Sequence, residues 1–365
     1  MPRTRLSERL PDFPWDTLAS AKERASAHPD GLVDLSIGTP VDPTPDLAQE
    51  ALAAAANNPG YPQVIGTAEL RSAMVTHLAE RWQARGLTEQ AVLPVLGTKE
   101  LVAWLPLLFG LGPKDTVMFP SVAYPTYAVG ARLAGCALLP ADSAEEIRER
   151  RPALVWVNSP SNPTGAVLPG DELAALVAAT RDVGAILASD ECYGEFGWEA
   201  DPVSVLDPVV CAGSHEGLLA VHSLSKTSNL AGYRAGLVAG DPELVGELTA
   251  VRKHAGMIMP GPVQHAMAVL LTDRDHVTVQ RERYARRRAV LRPALERAGF
   301  VIDDSQAGLY LWATRDEPCR TTVDFLAERG ILVAPGDFYG ADAARHVRFA
   351  LTALDDRIEA AAHRL

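Results

Sequence analysis

The chain has 365 residues, 47% hydrophobic and 22% charged, with a formal net charge of -12. That length exceeds the span over which one hydrophobic core keeps growing, so a large lobe with a smaller one is expected; the composition excludes disorder, and the acidic balance argues against broad binding to nucleic acid or anionic lipid. The start has no apolar leader, the strongest apolar run, Leu101 to Leu111, is short and broken by Pro106, and Cys136, Cys192, Cys211 and Cys319 form no CxxC pair, so no membrane span, disulfide frame or metal cluster is expected and a reducing cytoplasm fits.

In chain order, the residues up to about Pro45 read as an N-terminal arm with one helical stretch, Trp15 to Ala27, and a short strand-like VDLSIG. From Leu47 to about Leu271, apolar strand-like runs alternate with amphipathic stretches of helical length, predicting a mainly parallel sheet covered by helices on both faces. The runs are AVLPVLG, TVMFP, ALVWVN, GAILASD, LLAVHSL and AGLVAG. All but the last end in loops rich in Gly, Ser, Asn, Pro or Asp, and ligands of such sheets sit outside the carboxyl ends of the strands.

From about Thr272 a charged helix containing RERYARRRAVLRPALERAG leads to GLYLWAT, ILVAPG and HVRFALT, a second, smaller α/β lobe. Glu282 and the spaced apolar Tyr284, Val290 and Leu291 make the cluster Arg281 to Arg288 a solvated helix face rather than a nucleic-acid patch. The division expected is 1–45 for the arm and part of the small lobe, 46–271 for the large lobe and 272–365 for the small one.

Chemistry concentrates in SLSKTSNLAGYRAG, Ser223 to Gly236, directly after the strand-like LLAVH. Ser223 and Ser225 flank Lys226, and Arg234 follows between glycines. Hydroxyls and an arginine fork are what a phosphate dianion needs, glycines let backbone come close, and an amine beside a phosphate seat points to Schiff-base chemistry. Over its whole length this stretch resembles the cofactor-lysine signature of the class I/II aminotransferases, fold type I enzymes that use pyridoxal 5'-phosphate. The resemblance implies a large domain with a mainly parallel seven-stranded sheet plus a smaller α/β domain. It also implies that Lys226 holds the cofactor as a Schiff base and then shuttles the substrate α-proton.

Other segments match the family pattern in the right chain order, and their roles follow from the resemblance. Asp190, ending GAILASD, would keep the pyridine nitrogen protonated, and Tyr193 would hydrogen-bond the phenolic oxygen. Asn162 of SPSNPTG, in a loop fixed by Pro163 and Gly165, would contact that oxygen and lie near the substrate carboxylate. Gly97, Thr98 and Lys99, at a strand-to-helix junction, would form the phosphate cup with Ser223, Ser225 and Arg234, and Tyr124 would stack on the ring. Tyr61 would reach the phosphate of a partner subunit, which implies a homodimer with shared sites. Arg348 in HVRFALT would clamp the substrate α-carboxylate, with the backbone at Gly38 meeting the same group. By residue chemistry alone, plainer readings stand beside these: a helix cap for Asp190, a turn for SPSNPTG, a solvated charge for Lys99, a core aromatic for Tyr124 and a solvent-facing strand position for Arg348.

In the texture of LGTKELVAWLP the chain resembles N-succinyldiaminopimelate aminotransferases of the actinobacterial type, implying glutamate as donor and a place in lysine biosynthesis. Arg252, Lys253 and Arg24 are candidates for a distal carboxylate, each with a surface charge as the plainer reading. The alternatives are an aminotransferase for aspartate, aromatic or branched substrates, a β-lyase of the same fold, or a non-catalytic cofactor-binding regulator. No GxGxxG turn follows a strand, which argues against a nicotinamide cofactor.

Overall fold

A computed structural model of the chain describes residues 5–365. In chain order its strands are β1 (Val33–Asp34), β2 (Val92–Leu96), β3 (Thr116–Phe119), β4 (Ala137–Pro140), β5 (Leu154–Asn158), β6 (Ile186–Asp190), β7 (Leu218–Ser223), β8 (Ala235–Gly240), β9 (Val301–Asp303), β10 (Tyr310–Thr314), β11 (Ile331–Leu332), β12 (Ala334–Pro335) and β13 (His346–Ala350).

Seven of them form the large sheet, in the order β2-β8-β7-β6-β5-β3-β4. The contacts from β7 to β4 are parallel, whereas β8 runs antiparallel to both of its neighbours. Parallel strands need covered faces, and the alternation along β5 shows how both are filled. Val155 and Val157 enter the core on one face, Leu154 and Trp156 the core on the other. The fold is the α/β architecture expected, and the six predicted runs all become strands of this sheet. The seventh, β4, escaped notice because its outer position leaves it half-exposed and without a continuous apolar run.

A four-stranded antiparallel sheet, β12-β13-β10-β9, makes the smaller layer, and β1 pairs in parallel with β11. One apolar cluster joins Leu18, Ala25, Val33 and Leu35 of the arm to Tyr284, Leu291, Phe349 and Ile358, so the arm is built into the core of the C-terminal lobe. The expected helix from Trp15 to Ala27 divides into a 3-10 turn, Pro14–Leu18, and an α-helix, Ala19–Ser26. ILVAPG likewise divides, because β11 pairs with β1 and β12 with β13.

The basic cluster is a correction. Arg287 is buried and clamps Asp42 and Asp355, and Arg288 pairs with Glu199, so part of the supposed solvated face faces carboxylates. The described residues contain no helix long and apolar enough to cross a membrane and no group of three or more metal-ligating side chains.

Candidate active site

The carboxyl ends of β5, β6 and β7 supply Asn158, Asp190 and Ser223, and register holds the first two side by side. Asp190 is buried and accepts hydrogen bonds from the Tyr127 hydroxyl at 2.9 Å and the Cys192 amide at 3.2 Å. Burial raises its carboxyl above the ordinary range, and those two donors oppose the rise. Neither donor is a cation, so the carboxylate is placed to stabilise a positive charge brought in beside it.

Asn158 pins the following loop to β6. Its amide donates to the Asp190 carbonyl at 2.9 Å, and its side-chain oxygen accepts from the Asn162 backbone at 2.8 Å. Asn162 in turn accepts from Arg348 Nη1 at 2.6 Å, while Arg348 Nη2 donates to the Ser36 carbonyl at 2.8 Å. Arg348 sits on β13, 2% exposed, with its guanidinium 3.9 Å from the Tyr310 ring centroid. Its Nε has no partner among the described residues, and a buried unpaired donor calls for an acceptor.

Tyr310 links this arginine to the lysine. Its hydroxyl lies 2.9 Å from that of Tyr193, and burial first, then Tyr310, holds the Tyr193 phenol well above its usual range. A Cβ on Gly38 would fall 2.2 Å from the Tyr310 oxygen, so only glycine fits there. The Gly38 carbonyl accepts a hydrogen bond from Lys226 Nζ. Burial pulls the Lys226 ammonium below its ordinary value.

The phosphate-like seat lies at the start of the helix Thr98–Leu108, which Gly97 caps at φ 77°. A Cβ on Gly97 would meet Arg234 Nη2 at 2.2 Å, so the arginine lies directly against this turn. Burial and the nearby Arg234 both lower the Lys99 ammonium. Ser223 caps the short helix Leu224–Thr227, its Oγ accepting from the Ser225 amide at 3.1 Å, and Ser225 is buried. Free helix N–H groups, two cations and a buried hydroxyl together make an anion seat. Cys192 Sγ donates to Thr98 Oγ1 at 3.3 Å, joining the seat to the end of β6. Tyr124 is half-buried, edge-on to Tyr127 at 5.9 Å, its phenol pushed up to about 12 chiefly by burial.

Among the expected site residues, Asp190, Tyr193, Asn162, Lys226, Arg348 and Gly38 meet in one chain of contacts, and Gly97, Thr98, Lys99, Ser223, Ser225 and Arg234 gather at the anion seat. Tyr61 stands apart: it is fully exposed, lining an open groove with Asn58, Gln264 and His265. Sequence reasoning missed Tyr127, Tyr310 and Asn158, and it did not anticipate that Cys192 touches Thr98. Glu191, next to Asp190, accepts from the Val205 amide at 2.8 Å. Arg252 is corrected on both of its readings, since it is fully buried and meets Glu100 at 3.2 Å. Lys253 is exposed, and Arg24 pairs with Asp324 on the surface.

Tyr127→Phe is expected to lower kcat about tenfold with little change in KM, because it removes one hydrogen bond to a buried carboxylate. Steady-state kinetics on the purified variant check this, and a change confined to KM would contradict it.

The family model for aminotransferase class I and II matches residues 30–365. A probable aminotransferase of Mycobacterium tuberculosis is 62% identical over 360 residues, covering 99% of this chain and 86% of that protein. The 4-dedimethylamino-4-oxo-anhydrotetracycline transaminase of Streptomyces rimosus is 58% identical, covering 98% of this chain and 99% of that one. Among solved structures, a probable N-succinyldiaminopimelate aminotransferase from Thermus thermophilus superposes with a TM-score of 0.86 at 28% identity, covering 96% of this chain and 99% of that one. With a family match spanning nearly the whole chain and relatives this similar over 86% and 99% of their own length, the chain belongs to the class I and II aminotransferases and is a pyridoxal-phosphate-dependent transaminase.

Proposed function

We propose that the enzyme takes its amino group from glutamate and passes it to N-succinyl-L-2-amino-6-oxopimelate, forming N-succinyl-LL-diaminopimelate for lysine biosynthesis, in a homodimer with shared active sites in the cytoplasm. The observation that carries the chemistry is the unbroken contact chain Asp190, Asn158, Asn162 and Arg348, with Lys226 held at the carbonyl of Gly38, the residue whose Cα packs closely on Tyr310. The substrate rests on sequence texture and on the printed name of the Thermus thermophilus relative.

The residues fit the cofactor. Asp190 is a buried carboxylate met among the described residues only by neutral donors, which suits a protonated pyridine nitrogen. The Gly97 turn, in left-handed backbone at φ 77°, lies against the Arg234 guanidinium, which suits a phosphate held close to backbone. Gly97, Thr98, Lys99, Ser223, Ser225 and Arg234 would hold that phosphate, Tyr124 the ring face, and Tyr193 with Asn162 the phenolic oxygen. Tyr61 would complete the seat of a partner subunit. When bound, the cofactor supplies the electron sink that makes the amino acid's α-hydrogen acidic.

Arg348, its Nε still open, takes the substrate α-carboxylate with Asn162 and the Gly38 backbone, fixing which bond faces the lysine. Lys226, with its ammonium destabilised by burial, accepts the α-proton at Nζ and returns it elsewhere in the same half-reaction. Two such half-reactions, donor first and acceptor second, give ping-pong kinetics. The division into an arm with part of the small lobe (1–45), a cofactor lobe (46–271) and a small lobe (272–365) belongs to the same proposal.

A second substrate reading has one observation in its favour: the 58% identical relative is named for an oxo-anhydrotetracycline. The deciding experiment follows the absorption spectrum of the purified enzyme as glutamate, N-succinyl-LL-diaminopimelate and an aminated anhydrotetracycline are added separately. Loss of the visible band with the first two supports the proposal. Loss with glutamate and the tetracycline alone replaces the substrate while keeping the reaction.

A further inference from the structure

The residues directly after Lys226 are gripped by a helix of the C-terminal lobe. Ser228, 2% exposed, has its Oγ 2.8 Å from His276 Nε2, and the far nitrogen of that imidazole is held by Asp273 Oδ2. One position on, Asn229 in left-handed backbone (φ 52°) donates to Gln280 Oε1 at 3.0 Å and to the Pro43 carbonyl at 3.2 Å. Gln280 also donates to Asp42 Oδ2 at 2.8 Å, and Arg287 closes a fork on both Asp42 oxygens at 2.6 and 2.8 Å.

His276, Gln280 and Arg287 all lie on the helix Asp275–Arg297. Spacings of four and seven put them on one face, one and then two turns apart. That face therefore holds two things at once: the loop that carries Lys226, and Asp42 of the arm, four residues beyond the Gly38 carbonyl that receives Nζ, while Pro43 and Thr44 bond Asn229 of that loop directly. A helix docked between lobes commonly does so through apolar side chains, which tolerate sliding. Here the contact to the lysine loop is made by buried, directional hydrogen bonds, which lose their energy when displaced.

Ser228, His276 and Asp273 are linked in the order of a hydrolytic triad, but burial of the serine denies it a substrate. Their placement beside the lysine loop gives them another use. We propose that His276 and Gln280 are positioning residues for Lys226, fixing its loop and the Gly38 arm against one helix face so that placement of the small lobe sets the lysine's geometry. The proposal rests on Lys226 being the cofactor lysine, but the clamp itself is measurable without cofactor.

The experiment is hydrogen exchange of the backbone amides at 226–230, in full-length protein stripped of cofactor and in holoenzyme, combined with kinetics. His276→Ala and Gln280→Ala are each expected to speed exchange there about tenfold in both forms and to lower kcat about tenfold, leaving KM for glutamate within about twofold. Ser228→Ala, a milder change, should reproduce the His276→Ala effect, and the double variant should be no worse than either single one, because both remove the same contact. His276→Gln, which keeps a side-chain amide in reach of Ser228, should restore most of the protection. Unchanged exchange at 226–230, or effects of Ser228→Ala and His276→Ala that multiply in the double variant, overturns the clamp. Loss of the lysine reading looks different: Lys226→Ala would then keep its visible cofactor band while the clamp variants still exchange faster.

Discussion

Lys226→Ala should lose at least about 10⁴-fold in amino transfer and lose the visible absorption of covalently held cofactor, while unfolding at nearly the temperature of the parent protein. Two separate losses add up here. Without Nζ no covalent anchor forms, and without the same atom no base lies beside the α-hydrogen. The surroundings are built for that atom, since its one hydrogen-bond acceptor among the described residues is a backbone carbonyl at Gly38 and burial keeps its ammonium below the ordinary value. The neutral amine is therefore reached at lower pH than for a solvated lysine, and the step that needs it strengthens as pH rises through that lowered value. An added small amine should restore part of the rate in the variant. Turnover at the parental rate would remove Lys226 from the mechanism.

Arg348→Ala should cost about 10²- to 10³-fold in kcat/KM for every substrate that carries an α-carboxylate, with most of the loss in KM. The guanidinium is 2% exposed and already spends Nη1 on Asn162 and Nη2 on the Ser36 carbonyl, so it is rigid before substrate arrives. Truncation leaves both acceptors buried without a donor, which adds about 1–3 kcal/mol of destabilisation visible in thermal unfolding. Arg348→Lys keeps the charge but loses the fork, and should fall between the two. Competition by simple monocarboxylates separates the roles: the parent enzyme should be inhibited and Arg348→Ala should not. Equal inhibition of both would place the carboxylate elsewhere.

What could be read from the sequence was whatever local pattern encodes. β5, β6 and β7 are nearly continuous apolar runs because both faces of each are covered, and each ends in a polar residue that reaches the site. Lys226 and Arg234 were legible because they share one short segment with the serines and glycines around them. Tyr127 was not, since its partner Asp190 lies 63 residues away and nothing near the tyrosine marks it. Tyr310 is hidden for the same reason within an otherwise apolar strand. Arg252 misled because a charge on a helix reads as solvated until its partner is known, and Glu100 is 152 residues distant. The split of ILVAPG was illegible too, as it depends on two different strands arriving from the arm and from the C-terminus.

The reversed direction of β8 acts as a ruler. β7 ends at Ser223, just before the lysine, and because β8 runs the opposite way Arg234 returns to that same rim; a parallel strand would start at the far rim, about 20 Å off for six residues. On the other side of β8, Ala235 stands opposite Leu96, which brings Gly97 against Arg234. The distance between Lys226 and the anion seat is thus written in the length of a single loop and the register of one strand pair. An insertion between Lys226 and Arg234 would shift the lysine against the anion seat while leaving every side chain of the site in place, whereas an insertion beside the outer strand β4 would leave that distance intact.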